Sequence, residues 1–173
     1  VTDLNWLAET DQGELQLTLE ACSLNELLAA EVERWQPQAQ AQQVALSLEA
    51  DADLPEMTLD RMRMGQALGN VLNNAIRCSE AAGRVVVRAK LEGEEAATIA
   101  VIDDGVGIEA DDLPHVFERF YRTDQSQRHG IGGTGLGLAI ARAVAEAHGG
   151  TVAIDSDGPG QGAAVTFRLP LDR

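Results

Sequence analysis

Asn70, Asn74 and Arg77 recur at intervals of four and three residues. At 100° per residue they share one side of a helix. Leu68, Val71, Leu72, Ala75 and Ile76 fall on the other side, as a core-facing apolar stripe. A solvated helix face normally carries Glu and Lys, whereas asparagine competes for backbone hydrogen bonds and is a poor mid-helix residue. Two asparagines one turn apart therefore suggest a task. An amide oxygen is a neutral, hard ligand that suits Mg²⁺. Arg77, one turn further on, is placed to meet a phosphate. The same stripe also reads as an ordinary exposed face, and the helix alone does not decide.

Three more segments carry chemistry. In Val101-Ile102-Asp103-Asp104-Gly105-Val106-Gly107-Ile108 an apolar strand ends in an acid, followed by two glycines spaced by one. A carboxylate at Asp103 can accept an amine hydrogen such as the N6 of adenine. Glycines let the backbone approach a flat ring closely. A tight turn with a solvated acid pair would look the same. Phe117-Glu118-Arg119-Phe120-Tyr121-Arg122 places aromatics beside a polar segment, and Arg119, Arg122 and Arg128 gather there. Gly132-Gly133-Thr134-Gly135-Leu136-Gly137-Leu138 ends a loop and opens a helix, where free N–H groups and the helix dipole favour a phosphate. A dinucleotide fingerprint would follow a strand directly, and here a polar loop precedes the glycines. A P-loop needs Gly-Lys-Ser/Thr, and Lys90 is the only lysine in the chain. Protein-kinase signatures are absent.

Composition limits the partners. Thirteen basic and twenty-eight acidic residues give a net charge of −15, which repels nucleic-acid phosphates and anionic lipid. No nucleic acid and no direct membrane contact are expected. A polyanion such as ATP would need local positive charge or a metal ion. Cys22 and Cys78 are far apart and in no metal-like spacing, which fits a reduced, cytoplasmic setting. No apolar run reaches the length of a membrane span.

The elements that must position these residues follow from periodicity. Thr2 to Thr10 has helical spacing. Leu15, Leu17 and Leu19 alternate with polar residues, predicting a half-buried strand over 14–20. Ser23 and Glu26 form a capping box opening a helix that Pro37 should end or kink. Val44, Leu46 and Leu48 predict a strand. A long helix is expected from Leu59 to Arg77, then strands over 84–91 and 97–103. Short helical pieces should fill 109–120, and an aperiodic flexible loop 121–133. A helix over 136–148 should close at Gly149 and Gly150, before strands over 151–155 and 163–169. This order predicts an α+β fold: a two-layer sandwich whose mixed sheet of about five strands is covered on one face by three helices.

The four chemical segments, in this order, resemble the N, G1, F and G2 boxes of sensor histidine kinase catalytic domains, within the Bergerat-fold (GHKL) ATPases. The likeness extends to 143–150 and to the closing Gly162 and Phe167-Arg168-Leu169-Pro170. It implies the cofactors ATP and Mg²⁺, with Asn74 as metal ligand, Asn70 beside it, and Arg77 at the phosphates. Asp103 would hold the adenine amine, with Gly105, Gly107 and Ile108 shaping its pocket. Phe117 and Phe120 would pin a flexible ATP lid, and Arg122 would reach the phosphates. Gly133, Thr134, Gly135, Leu136, Gly137 and Leu138 would hinge the lid and cradle the triphosphate. Asn74, Arg77 and Arg122 would be the catalytic set.

The implied reaction is transfer of the γ-phosphoryl group to a histidine on a separate helical dimerisation domain, for relay to an aspartate of a response regulator. The parent protein would be a homodimer. Residues 1–10 would end the upstream helix, and 11–173 would be the catalytic domain. His115, His129 and His148 lie inside that module, and none resembles a phosphoacceptor. His148 reads as a helix-end residue favourable to the dipole. Members of the family often carry an aromatic where this chain has Cys78, which implies a weaker adenine contact. The water-activating ATPases of the superfamily place a glutamate where this chain has Asn70. An amide cannot act as a general base at neutral pH, which argues against rapid hydrolysis. The alternatives are a related GHKL-type ATPase and a nucleotide-binding interaction domain without kinase activity.

Overall fold

The computed structural model describes residues 16–171. The expected helix over 2–10, and Leu15 of the expected first strand, lie outside that range. The elements run β1 (Glu20–Ser23), α1 (Leu24–Ala41), β2 (Ala45–Ala50), β3 (Glu56–Leu59), α2 (Arg61–Cys78), β4 (Arg84–Glu92) and β5 (Ala96–Asp103). A 3₁₀ turn (Leu113–His115), α3 (Asp124–Arg128), α4 (Gly137–Ala147), β6 (Thr151–Asp155) and β7 (Ala163–Pro170) follow. Five strands form one mixed sheet in the order β2-β4-β5-β7-β6, parallel only between β2 and β4. β1 and β3 form a separate antiparallel pair. The α+β sandwich expected from the order of elements is what is found.

Alternation along the strands sorts the two sheet faces. Val85, Val87 and Ala89 of β4, Ile99 and Val101 of β5, and Val165, Phe167 and Leu169 of β7 are buried in one cluster. Leu24, Leu28 and Val32 of α1, Leu68, Leu72 and Ile76 of α2, and Ile140 and Val144 of α4 complete that cluster. Arg84, Arg88 and Lys90, at the alternate positions of β4, are exposed. Leu, Val, Ile and Ala dominate the core, as a chain with 3% aromatic residues requires. The helices thus form the layer on one face of the sheet, and α2 lies centrally with its polar stripe turned away from the core.

Several local expectations are corrected. The first strand is Glu20–Ser23, not 14–20. Its partner β3 is only four residues long, so the ladder runs from Glu20 opposite Leu59 to Ser23 opposite Glu56. Among the described residues, Leu17 and Leu19 upstream of it belong to no strand, and Leu19 is 54% exposed. Leu59 belongs to β3 and is buried, and α2 starts at Arg61. Asp60 is its N-cap, in extended backbone with its carboxylate accepting from the Arg63 N–H at 3.0 Å. Pro37 does not end α1, which continues to Ala41. The turn beyond the proline is held from outside the helix. Ala39 is fully buried, the Gln36 side chain donates to the Leu46 carbonyl at 2.9 Å, and that of Gln38 to Asn73 Oδ1 at 2.9 Å. The loop expected over 121–133 contains the short helix α3, opened by Thr123, whose hydroxyl accepts from the Ser126 N–H.

His148 ends α4, as expected, and its ring makes two hydrogen bonds there. The Asp60 N–H donates to its Nε2 at 2.9 Å, and its Nδ1 lies 2.8 Å from the Val144 carbonyl. A backbone N–H can only donate and a carbonyl can only accept, so the ring carries its proton on Nδ1. His148 is thus a hydrogen-bonded joint between the start of α2 and the end of α4. Gly149, with φ of 72°, and the Gly150 N–H bonded to the Ala145 carbonyl at 2.8 Å close α4 as expected.

Candidate nucleotide site

Along the polar face of α2 lies a cavity of about 320 Å³. Roughly 300–1,000 Å³ is the range of small-molecule sites, so the space suits a ligand of nucleotide size. Its floor is the α2 stripe: Asn70, Asn73, Asn74, Arg77 and Cys78. Gly107 and Ile108 bound it on the β5 side. Arg122 and the run of Gly132, Gly133, Thr134, Gly135, Gly137 and Leu138 bound it on the lid side. A narrow annex of about 30 Å³ adjoins it and shares Asn74, Cys78, Gly107 and Ile108 with it. Asp103 lines this annex, among Val71, Val101, Ile154 and Val165.

The electrostatics of the two ends differ. Among the described residues no carboxylate lines the main cavity, although the protein carries a net charge of −15. Two arginines do. Arg77 points across to the glycine run, where a Cβ on Gly132 would come within 2.6 Å of its guanidinium. Arg122 donates from Nη2 to the Ile131 carbonyl at 2.6 Å, and so ties the lid to its own base. At the annex, burial pushes the Asp103 carboxyl up to about 6, although the Gly105 N–H donates to its Oδ1 at 2.9 Å and opposes the shift. Burial, helped by the Asp103 charge, pushes the neighbouring Cys78 thiol up to about 12, so it stays protonated at neutral pH. Cys78 has a contact of 3.9 Å from Sγ to Asn74 Oδ1.

Backbone constraints explain the glycines. At Gly105 a Cβ would lie 2.2 Å from the Cys78 carbonyl oxygen, so the base-side loop passes directly over the end of α2. At Gly135, with φ of 72°, a Cβ would lie 2.7 Å from the Phe120 backbone. The Phe120 N–H donates to the Gly135 carbonyl at 2.9 Å. That bond closes the neck of the lid, with α3 and the glycines forming the loop beyond it.

The remaining expected residues fall as follows. Asn70 packs its Cβ 3.5 Å from the position of a Cβ on Gly137, and its Nδ2 is buried without a hydrogen-bond partner. Gly105 shapes the loop without lining either space. Leu136 is buried in the core beneath the lid hinge. Phe117 is half-buried and lines neither space, whereas its neighbour Val116 lines the main one. The Phe120 ring is 61% exposed, so at that position the backbone, not the ring, joins the lid to the domain. Sequence reasoning missed Asn73, Tyr121 and Ser126, which also line the cavity. Asn73 sits beside the asparagine pair and could have been read from the composition of the stripe. Tyr121 and Ser126 reach the cavity through the fold of the lid, which has no periodic signal.

The donor set bears on a metal. Among the described residues no three His, Cys, Asp or Glu side chains gather as a metal site. The α2 stripe supplies amide oxygens, and that of Asn73 already accepts from Gln38. Such a set fits Mg²⁺ that arrives with phosphates supplying most of its oxygens, and does not fit a metal held by protein alone.

The model of the histidine kinase-, DNA gyrase B- and HSP90-like ATPases matches residues 59–173. The alginate biosynthesis sensor protein KinB of Pseudomonas aeruginosa is 34% identical over 99% of this chain and 28% of its own length. The sensor histidine kinase WalK of Bacillus subtilis is 34% identical over 98% of this chain and 28% of its own length. The chain thus spans about a quarter to a third of such relatives. The crystal structure of full-length ShkA in complex with AMPPNP superposes with a TM-score of 0.87 at 29% identity, over 98% of this chain and 35% of that one. With a cationic cavity on an asparagine-lined helix beside a glycine-rich loop, and with a family model that matches residues 59–173, the chain belongs to the histidine kinase-, DNA gyrase B- and HSP90-like ATPase family, and sensor histidine kinases are among the relatives it resembles along nearly its whole length.

Proposed function

We propose that this chain binds ATP with Mg²⁺ in the α2 cavity and donates the γ-phosphoryl group to a histidine on a separate helical domain of the parent homodimer, for relay to a response regulator's aspartate. The observation that carries this reading is the charge arrangement among the described residues: two arginines and no carboxylate around the main cavity, and one buried carboxylate in the annex. A triphosphate is excluded from an acidic protein unless such a place exists. The annex admits a group of about water size, so it takes the amino edge of the purine. Asp103 accepts that N–H, and Gly107 and Ile108 form the wall beside the ring. Asn74, with Asn70 beside it, would hold Mg²⁺ through amide oxygens, and the ion would supply neutralisation of phosphate charge there. Arg77 and Arg122 stabilise charge on the transferring phosphoryl group. Arg122 must exchange its bond to the Ile131 carbonyl for a phosphate, which couples phosphate contact to lid movement.

With an amide at Asn70 and no carboxylate among the described residues that line the cavity, a general base for water is lacking, so slow hydrolysis accompanies this reading. Calorimetry with a non-hydrolysable ATP analogue and Mg²⁺ tests it. Binding in the micromolar-to-millimolar range of substrate sites is expected. Asp103→Ala removes a hydrogen bond to a charged acceptor, of about 1.5–3 kcal/mol, and should weaken binding about 10- to 100-fold. No binding by the wild-type chain overturns the proposal. The chain alone should not become phosphorylated on incubation with γ-labelled ATP, whereas an added histidine-bearing helical domain should take up label.

A further inference from the structure

The loop that borders the base end of the site, residues 105–108, is gripped from two sides. On the α2 side, the Val106 N–H donates to the Cys78 carbonyl at 3.0 Å. On the other side stands the turn between β6 and β7. There the Gly160 N–H donates to the Val106 carbonyl at 2.8 Å, and the Gly162 N–H to the Gly105 carbonyl at 3.1 Å. The two loops touch so closely that a Cβ on Gly107 would lie 2.0 Å from the Gly158 carbonyl oxygen. One on Gly162 would lie 2.0 Å from the Asp103 carbonyl oxygen.

Among these latches one is made by a side chain. The Ile108 N–H donates to Ser156 Oγ at 3.1 Å, and the Gly158 N–H donates to the same oxygen at 3.3 Å. The Ser156 hydroxyl in turn donates to the Gly162 carbonyl at 2.6 Å. A hydroxyl has one proton and two lone pairs, so its capacity is filled. It spans the β6–β7 turn from start to end and pins Ile108, which lines both the main cavity and the annex.

We propose that Ser156 is a positioning residue for base recognition: its hydroxyl holds Ile108 and the 105–108 loop in the place where they border the purine, and it has no part in holding the phosphates. This rests on the nucleotide reading above. The phosphate side is built from Asn74 and Arg77 of α2 and from the lid, and no hydrogen bond of Ser156 reaches those elements. Removing the hydroxyl leaves the Ile108 N–H and the Gly162 carbonyl without their partner and frees the loop. The cost then falls on ligands that carry the base.

The test compares two probes, the ATP analogue with Mg²⁺ and inorganic tripolyphosphate with Mg²⁺, by calorimetry on the full chain. Ser156→Ala should weaken the ATP analogue about tenfold, as expected for one lost hydrogen bond, and leave tripolyphosphate within twofold. Ser156→Thr, which keeps the hydroxyl, should restore the analogue. An unchanged analogue affinity in Ser156→Ala, an equal loss for both probes, or failure of threonine to restore binding would overturn the proposal. The wild-type chain gives a reading that needs no variant. Without ligand, the Ile108 amide should exchange with solvent as slowly as amides within β5, and exchange at the rate of an open loop would overturn it. Failure of the underlying nucleotide reading looks different: the wild-type chain then binds neither probe, while Ile108 stays protected.

Discussion

Asp103 is the residue whose environment most departs from what its type alone implies. Burial among Val71, Val101 and Val165 raises its carboxyl to about 6, against a free value of about 4. Two consequences have opposite signs. The ionised form is the better acceptor for an amine, so affinity for the ATP analogue should fall as pH drops through about 6. Asp103→Asn should flatten that profile in a calorimetric pH series. For stability, the folded carboxyl holds its proton over a window in which the unfolded one has lost it. Unfolding then releases protons, and the contribution of Asp103 to stability falls as pH rises from about 4 to about 6. Denaturant midpoints of wild type minus Asp103→Asn should decline across that window. Asp103 as an acid at a strand end was legible in the sequence. Its apolar surroundings were not, because Val71, Ile154 and Val165 come to it from three different elements.

At the scale of elements, α2 and α1 show how far periodicity reaches. The apolar and polar faces of α2 followed from 100° steps, because a helix turns at a constant angle whatever surrounds it. Its start did not. Leu59 fits an apolar helical pattern and a strand equally well, and the partner strand β1 decided between them. For α1 the local rule pointed the wrong way. Pro37 has no N–H to continue the helix and crowds the preceding turn, a cost of about 3 kcal/mol in a helix interior. The packing of Ala39 and the side-chain bonds of Gln36 and Gln38 outweigh it. Pro37→Ala should therefore stabilise the domain by about 1–3 kcal/mol, read as a rise in denaturation midpoint with an unchanged m-value. An unchanged midpoint would mean that the proline costs α1 nothing in place. The way the lid closes at its neck lay beyond sequence reasoning for a different reason. Its neck is a backbone bond between Phe120 and Gly135, and backbone bonds leave no mark in side-chain pattern.

For the molecule as a whole, net charge and site charge oppose each other. Self-repulsion at −15 destabilises the compact state, and salt screens it. Moderate salt should raise the melting temperature of the free chain while it weakens binding of the ATP analogue, since Arg77 and Arg122 act on phosphates partly at long range. A melting series with and without ligand would show the two trends crossing, and parallel trends would remove the arginines from the account. The layer architecture, the core-facing stripes, the asparagine–arginine face and the order of the four chemical segments were all legible in the chain alone. All of these rest on constant local geometry and on residue type. Tertiary structure alone decided the annex around Asp103, the burial of Leu136, the exposed Phe120 ring, the proton position on His148, and the grip of Ser156 on Ile108. Each of these depends on two or more segments distant in the chain meeting within a few ångströms, and no local period records that distance.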